Sequence, residues 1–115
     1  MAQRLQIITG IETVAVNGTA VQFQDTDTFV RAITITANSG NVPGEHIVVG
    51  DSNVVGAIAT RRGHPLAPGE SLVISAEGMG TTGMHGQDSA KLINLRDLWV
   101  DSVSNTEHVS WLALL

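Results

Sequence analysis

The stretch "FVRAITITAN", residues 29–38, decides the class of fold. Its side chains alternate along an extended backbone, and β-branched residues predominate. On one side fall Phe29, Arg31, Ile33, Ile35 and Ala37, and on the other fall Val30, Ala32, Thr34 and Thr36. This alternation predicts a strand of a sheet with one well-buried face.

Similar segments recur along the chain, with turn signals about every ten residues. Further strands are predicted at "HIVVG" (46–50), residues 55–60, "SLVISAE" (71–77), "KLINL" (91–95), "LWVDS" (98–102) and "HVSWLALL" (108–115). Helical structure is expected only as one turn near residues 88–91. We therefore predict an all-β chain, in which residues 1–115 form a single antiparallel β-sandwich or barrel of jelly-roll-like type.

Of the turns expected between these strands, two can be assigned a type. In "IETVAVNGTAVQF", residues 11–23, Asn17 and Gly18 are the preferred pair for a two-residue type I′ turn. That pair predicts a hairpin in which Val14 faces Val21. Further along the chain, "PG" at residues 68–69 suits the centre of a type II turn between two strands.

The last predicted strand is apolar on both faces. One face carries Val109, Trp111, Ala113 and Leu115, and the other carries Leu112 and Leu114. Because an exposed apolar edge promotes aggregation, we expect this strand to be central in its sheet or covered by another subunit. We expect Trp111 to belong to the core.

Composition excludes several classes of function. The chain has 115 residues, no cysteine and a net charge of -5. One domain is expected at this length, without disulfides or thiolate metal sites. An acidic chain lacks the basic surface that nucleic-acid binding requires, so no nucleic-acid partner is predicted. The sequence has no apolar run of 18 residues, and we predict neither a membrane span nor a signal peptide.

The sequence offers no strong catalytic or metal-binding pattern. "GMGTTG", residues 78–83, fits a dinucleotide fingerprint, but no helical pattern follows it, and we interpret it as part of a glycine-rich loop at 77–90. Asp25 and Asp27 are expected in a turn before a strand. The histidines lack the spacing of paired metal ligands; they are His46, His64, His85 and His108. We predict no enzyme activity, no catalytic residue, no cofactor and no metal.

Three segments are candidates for contact with other protein chains. Arg61 and Arg62 form the single basic spot of an acidic chain and suit acidic groups on a partner. The loop at 77–90 carries adaptable methionines, and a predicted N-terminal arm at 1–8 could add a strand to a neighbour. The candidate contact residues of the loop are Met79, Met84 and His85. Those of the arm are Arg4, Leu5 and Ile7.

Three motifs in order resemble a family of known proteins. They are "VVGDSNV" (48–54), "PLAPGESL" (65–72) and "NLRDLWVDSVSNTEHVSWLALL" (94–115). Together they are similar to small β-structured virion proteins of tailed bacteriophages, whose members often carry "VGDS", "G.PL.PGES", "L..IYVDS" and a final "GVSW.AL". The resemblance covers roughly the last two-thirds of the chain. The loop at 77–90 is longer than in many relatives, and the N-terminal segment lies outside the shared motifs.

The resemblance implies a capsid decoration (cement) protein, which binds the outer head surface and bridges capsid subunits. It implies the major capsid protein as partner, a homo-oligomer (trimer or dimer), and a place on the capsid exterior after synthesis in the host cytoplasm. A tail, head-fibre or connector component is the alternative within the virion. A carbohydrate- or host-surface-binding β module is a further alternative, which two tryptophans and no tyrosine disfavour.

Overall fold

The computed structural model describes residues 6–75 and 92–115. In these two ranges the secondary structure is almost entirely β. The strands are β1 (Ile7–Val14), β2 (Val21–Gln22), β3 (Phe29–Val30), β4 (Ala32–Ala37), β5 (Ile47–Gly50), β6 (His64–Leu66), β7 (Ser71–Ser75), β8 (Ile93–Asn94), β9 (Trp99–Ser102) and β10 (Glu107–Leu114). A 3₁₀ helix, Leu95–Asp97, begins after Asn94, whose side chain accepts from the Arg96 N–H.

The strands form two four-stranded antiparallel sheets and one small pair. The first sheet has the order β1-β10-β4-β7, the second has the order β2-β9-β5-β6, and β3 pairs with β8. Apart from that small pair, the chain passes from one sheet to the other at every connection except β5 to β6. This wrapping is the arrangement of a jelly-roll sandwich. The predicted all-β, antiparallel sandwich is confirmed.

The core lies between the two sheets and is built mainly from aliphatic side chains. The first sheet contributes Val14, Ile33, Ile35, Ala37, Val109, Trp111 and Ala113, and the second contributes Ile47, Val49, Leu66 and Val100. The core is completed by Phe23, Val30 and Leu95, and the ring centroid of Phe23 lies 6.2 Å from that of Trp111. The prediction that Trp111 is a core residue is confirmed, since only 4% of it is exposed.

Strand β10 lies between β1 and β4, which confirms the prediction that the last strand is central. Its inward residues are buried, whereas Leu112 on the outward face is 43% exposed. Central placement satisfies the backbone of this strand on both sides, with the Arg31 N–H donating to Leu114 O at 2.7 Å on the β4 side.

The hairpin predicted for residues 11–23 is wrong. Strand β1 pairs with β10, and β2 pairs with β9 in the opposite sheet. The Thr19 N–H does bond Val16 O at 3.1 Å, and Gly18 has φ 87°. Asn17, however, is not in the left-handed region, which a type I′ turn requires at both positions. The turn therefore carries the chain across the sandwich instead of reversing it within one sheet.

Other strand predictions need correction at their ends. Residues 55–60 form no strand; Val55 makes one isolated bridge to Arg62. The alternation in residues 29–38 shifts by one at Arg31, so Phe29 is exposed and Val30 is buried. The reason is a change of partner, because β3 pairs with β8 and β4 joins the first sheet.

The strand predicted at residues 91–95 and the helical turn predicted at 88–91 have different outcomes. Within the predicted strand, the structure describes only Ile93–Asn94 as a strand, before the 3₁₀ helix begins. The helical turn predicted near 88–91 lies outside the described residues, as does the glycine-rich loop at 77–90. Of the arm predicted at 1–8, residues 7 and 8 begin β1 and pair with β10 of the same chain, while residues 1–5 lie outside the described ranges.

The type II turn predicted at residues 68–69 is confirmed. The Glu70 N–H donates to Ala67 O at 2.9 Å, and Gly69 has φ 87°. Pro68 occupies the position where its fixed φ is favourable. This turn carries the chain from β6 in the second sheet to β7 in the first.

Candidate functional site

The two arginines proposed as a contact point have different environments. Arg61 is half-buried, and its Nε and Nη2 donate to Gly56 O at 3.3 and 3.2 Å. Arg62 makes the backbone bridge to Val55 and exposes its side chain. Arg61 is therefore engaged in holding its own loop, and Arg62 is the one whose side chain is open to solvent.

Of the remaining candidate contact residues, the structure describes one and five lie outside the described ranges. Ile7 lies in β1 and is 61% exposed on the outward side of the first sheet. Outside the described residues lie Arg4, Leu5, Met79, Met84 and His85.

The acidic and histidine residues form no metal-binding cluster within the described ranges, where no group of three or more His, Cys, Asp or Glu residues could hold a metal ion. Asp27 accepts from Asn94 Nδ2 at 3.1 Å and from Arg96 Nη1 at 3.2 Å, and these hydrogen bonds lower the pKa of Asp27. Asp25 lies in a bend and Asp27 in the short irregular segment that follows it, both before β3 as predicted.

The connection between β5 and β6, residues 51–63, forms a flap over the outward side of the second sheet. Val48 and Asp101 face each other on that side and are buried, at 0% and 2% exposure. The flap approaches the sheet so closely that a Cβ at Gly63 would lie 2.8 Å from Val48 Cγ1. At the flap's far end Ile58 is 74% exposed.

Asp101 fastens this flap. Its Oδ2 accepts from the Gly56 N–H and its Oδ1 accepts from the Gly18 N–H, both at 2.9 Å. One buried carboxylate thus joins the flap, the β1–β2 turn and strand β9. Gly56 is needed at this point because a Cβ there would stand 2.7 Å from the backbone of Ser102. The role of Asp101 is structural.

The outward side of the first sheet is different, because no described residue covers it and it carries no Asp, Glu, Lys or Arg. We call this surface the neutral face. It consists of Ile7, Thr9, Ile11 and Thr13 of β1, His108, Ser110, Leu112 and Leu114 of β10, Ala32, Thr34 and Thr36 of β4, and Ser71, Val73 and Ser75 of β7. Its most exposed apolar members are Ile11 (70%), Val73 (64%) and Ile7 (61%).

The neutral face has an ordered pattern of side chains. One cross-strand row runs Thr9, Leu112, Thr34 and Val73, following the registered pairs of the four strands. Some hydroxyls pair with neighbours on the face, as where Thr36 Oγ1 and Ser71 Oγ lie 2.8 Å apart. A shallow groove crosses the centre of this face. Such a surface can be covered by another protein without burying a charge.

The neutral face was not predicted from the sequence. A signal was present, because the outward positions of the four strands carry Thr, Ser, Ile, Val, Leu, Ala and one His, where a solvated sheet usually carries Lys and Glu. That signal becomes readable only with the strand order, which shows that these four strands share one side.

Comparisons with known proteins add no family. No protein-family model matches the chain, and no curated protein resembles it significantly. The described residues include no helix long and apolar enough to span a membrane.

Proposed function

We propose that this protein is a bacteriophage virion structural protein of the decoration type, which docks on the capsid exterior through the neutral face. The observation that carries the proposal is the contrast between the two outward sheet surfaces. The second sheet is covered by residues 51–63, whereas the first sheet presents an uncharged surface on a chain of net charge -5.

Docking through such a surface has a clear physical basis. Each Å² of apolar surface removed from water contributes about 25 cal/mol before the costs of association. The exposed apolar side chains supply that term, and the threonine and serine hydroxyls can bond to a partner or to each other. A symmetric shell offers many equivalent sites, so a modest affinity per site yields a large total stabilisation.

The alternative of a carbohydrate-binding module is less well supported. Sugar sites use exposed aromatic rings, and of the four aromatic residues in this chain one is exposed, Phe29 at 51%. Phe23 and Trp111 are buried in the core, and Trp99 is half-buried in β9. The motif resemblance in residues 48–115 also favours a virion protein over a sugar-binding module.

The proposal is tested by reconstitution on particles. Purified chain is added to capsids of the encoding phage that lack it, and the bound copies are counted after sedimentation. We expect saturation at a fixed copy number with the symmetry of the head. Saturation at about a dozen copies or fewer would identify a connector instead, and no binding at any concentration would overturn the proposal.

Matched valine variants locate the docking surface. Val73 on the neutral face and Val16 in the β1–β2 loop are 64% and 55% exposed, so neither supports the core. We expect Val73→Lys to weaken particle binding at least tenfold because it buries a charge, and Val16→Lys to bind as the wild type does. Leu112→Lys, at the centre of the face, should behave as Val73→Lys. Equal binding by all three variants would exclude the neutral face.

A further inference from the structure

We propose that the outer edge of β1 pairs antiparallel with β1 of a second copy, with the two-fold axis at Gly10. The result is a dimer in which two copies of the first sheet form one continuous eight-stranded sheet. This inference concerns the isolated protein and does not depend on the proposed function.

Backbone geometry leaves hydrogen-bonding groups on this edge. The Leu115 N–H donates to Gln6 O at 2.9 Å, which places the even-numbered residues of β1 with their backbone groups toward β10. The N–H and C=O groups of the odd-numbered residues therefore point away from β10. No described strand lies beyond β1 in the sheet order. A row of backbone groups of this kind is complementary to another β-strand.

The edge also lacks most of the features that normally prevent such pairing. Natural edge strands are protected by short length, proline, bulges or charged residues, including charges that point inward. Strand β1 is eight residues long, pairs with β10 in unbroken register and contains no proline. Its single charged residue, Glu12, is an inward charge of this kind, but it is engaged within its own chain, where its Oε2 accepts from Trp111 Nε1.

Self-pairing satisfies this edge in one particular register. The outward backbone groups belong to Ile7, Thr9, Ile11 and Thr13, whose midpoint is Gly10. Pairing about Gly10 sets Ile7 against Thr13 and Thr9 against Ile11 of the second copy. The side chains of these four residues in each copy are uncharged, so eight uncharged side chains meet across the two-fold axis.

The self-complementary register identifies a second copy as the occupant, and the charges at the edge do not oppose it. Each copy has a net charge of -5, but the paired outward side chains of Ile7, Thr9, Ile11 and Thr13 carry no charge, so no like charges meet there. In the register about Gly10, Glu12 lies opposite Ile8 of the second copy, so the two Glu12 carboxylates are not directly opposed.

The dimer also enlarges the continuous neutral face. At a strand spacing of about 4.8 Å and a rise of about 3.3 Å per residue, the neutral face of one chain has a flat area of roughly 400 Å². The two-fold about Gly10 places both neutral faces on the same side, which doubles the continuous surface.

The test measures the mass and amide exchange of the full chain without particles, so its failure is distinguishable from failure of the proposed function. Light scattering during size exclusion should give twice the chain mass of 12.1 kDa. In NMR hydrogen exchange, the Thr9 and Ile11 amides should be at least 100-fold protected, although their N–H groups point away from β10 and no described strand lies on that side.

A matched pair of variants isolates the backbone contribution. Thr9→Pro removes an N–H that points to the edge, so it spares the β10 ladder and should give a folded monomer. Thr9→Val keeps that N–H and should remain a dimer. A monomeric wild type at millimolar concentration, unprotected Thr9 and Ile11 amides, or a Thr9→Pro dimer would each overturn the proposal. If Thr9→Pro does not fold, the exchange measurement on the wild type is unaffected, and it then decides whether the dimer forms.

Discussion

Gly10 in β1 lies against the indole ring of Trp111 in β10, its registered partner. A Cβ at position 10 would stand 2.5 Å from Cζ2 and 2.7 Å from Cε2 of that ring. Glycine normally weakens a strand, but here the missing side chain provides the space that the largest core residue occupies. The position of the ring is also fixed by the Trp111 Nε1 hydrogen bond to Glu12 at 3.1 Å.

Gly10→Ala is expected to destabilise the protein by about 2 kcal/mol, because the added methyl group must displace the ring or the strand. In a Trp111→Phe background the smaller ring leaves room, and the same change should cost at least about 1 kcal/mol less. Urea unfolding of the two single variants, the double variant and the wild type gives this coupling energy. Strictly additive effects would show that the contact carries no strain.

Asp101→Ala is expected to lower the free energy of unfolding by about 3 kcal/mol, since two backbone N–H groups lose a charged acceptor and one of them is buried. Asp25→Ala, at an exposed position, serves as control and should change stability by less than about 0.5 kcal/mol.

The same substitution should loosen the flap. Trypsin cleavage after Arg61 or Arg62 is expected to be faster in Asp101→Ala than in the wild type under native conditions, because Asp101 bonds the Gly56 N–H. Unchanged cleavage would show that the flap is held by its other contacts.

Glu12→Gln is expected to raise the melting temperature at pH 7. Partial burial raises the pKa of Glu12, and the hydrogen bond from Trp111 opposes that effect. The fold therefore favours the protonated form: the stability from this group is present below the ordinary value of 4.5 and is lost as pH rises through the folded-state pKa.

Glutamine carries no charge at any pH. Its gain in stability over the wild type should therefore be full at neutral pH and should disappear below pH 4.5. Thermal unfolding at several pH values measures this difference, with Asp25→Asn as a variant that changes charge at an exposed site. A lower melting temperature for Glu12→Gln at pH 7 would contradict the sign of the effect.

Gly69→Ala is expected to destabilise the fold by about 1 kcal/mol. A Cβ at this position meets no atom within 4 Å, so the whole cost comes from φ 87° in the type II turn. Gly69→Asn should cost less, because asparagine tolerates the left-handed region better. Denaturant midpoints compare the two variants, and equal midpoints for both variants and the wild type would exclude a backbone effect.

Local patterns predicted much of this fold. Ile33, Ile35 and Ala37 are buried in turn along β4, as their alternation indicates. The central position of β10 follows from its apolar character on both faces, since a free apolar edge is costly. The turn at residues 68–69 follows from the backbone preferences of proline and glycine. In each case the cause lies within a few neighbouring residues.

The pairing of strands could not be predicted in the same way. Asn17 and Gly18 mark a turn, but they do not say whether the strands on either side belong to one sheet. In a jelly roll, consecutive strands usually lie in opposite sheets, so the local hairpin signal misled. The neutral face was hidden for the same reason, because it unites four strands that are distant in the sequence.

The flap and the neutral face lie on opposite sides of the sandwich, which makes the molecule two-sided. A copy that adheres to a shell through one side necessarily turns Ile58 and its neighbours toward the surrounding medium. Under the proposed function, foreign peptides grafted between residues 57 and 60 would be displayed in a regular array, without altering the strands that carry the neutral face.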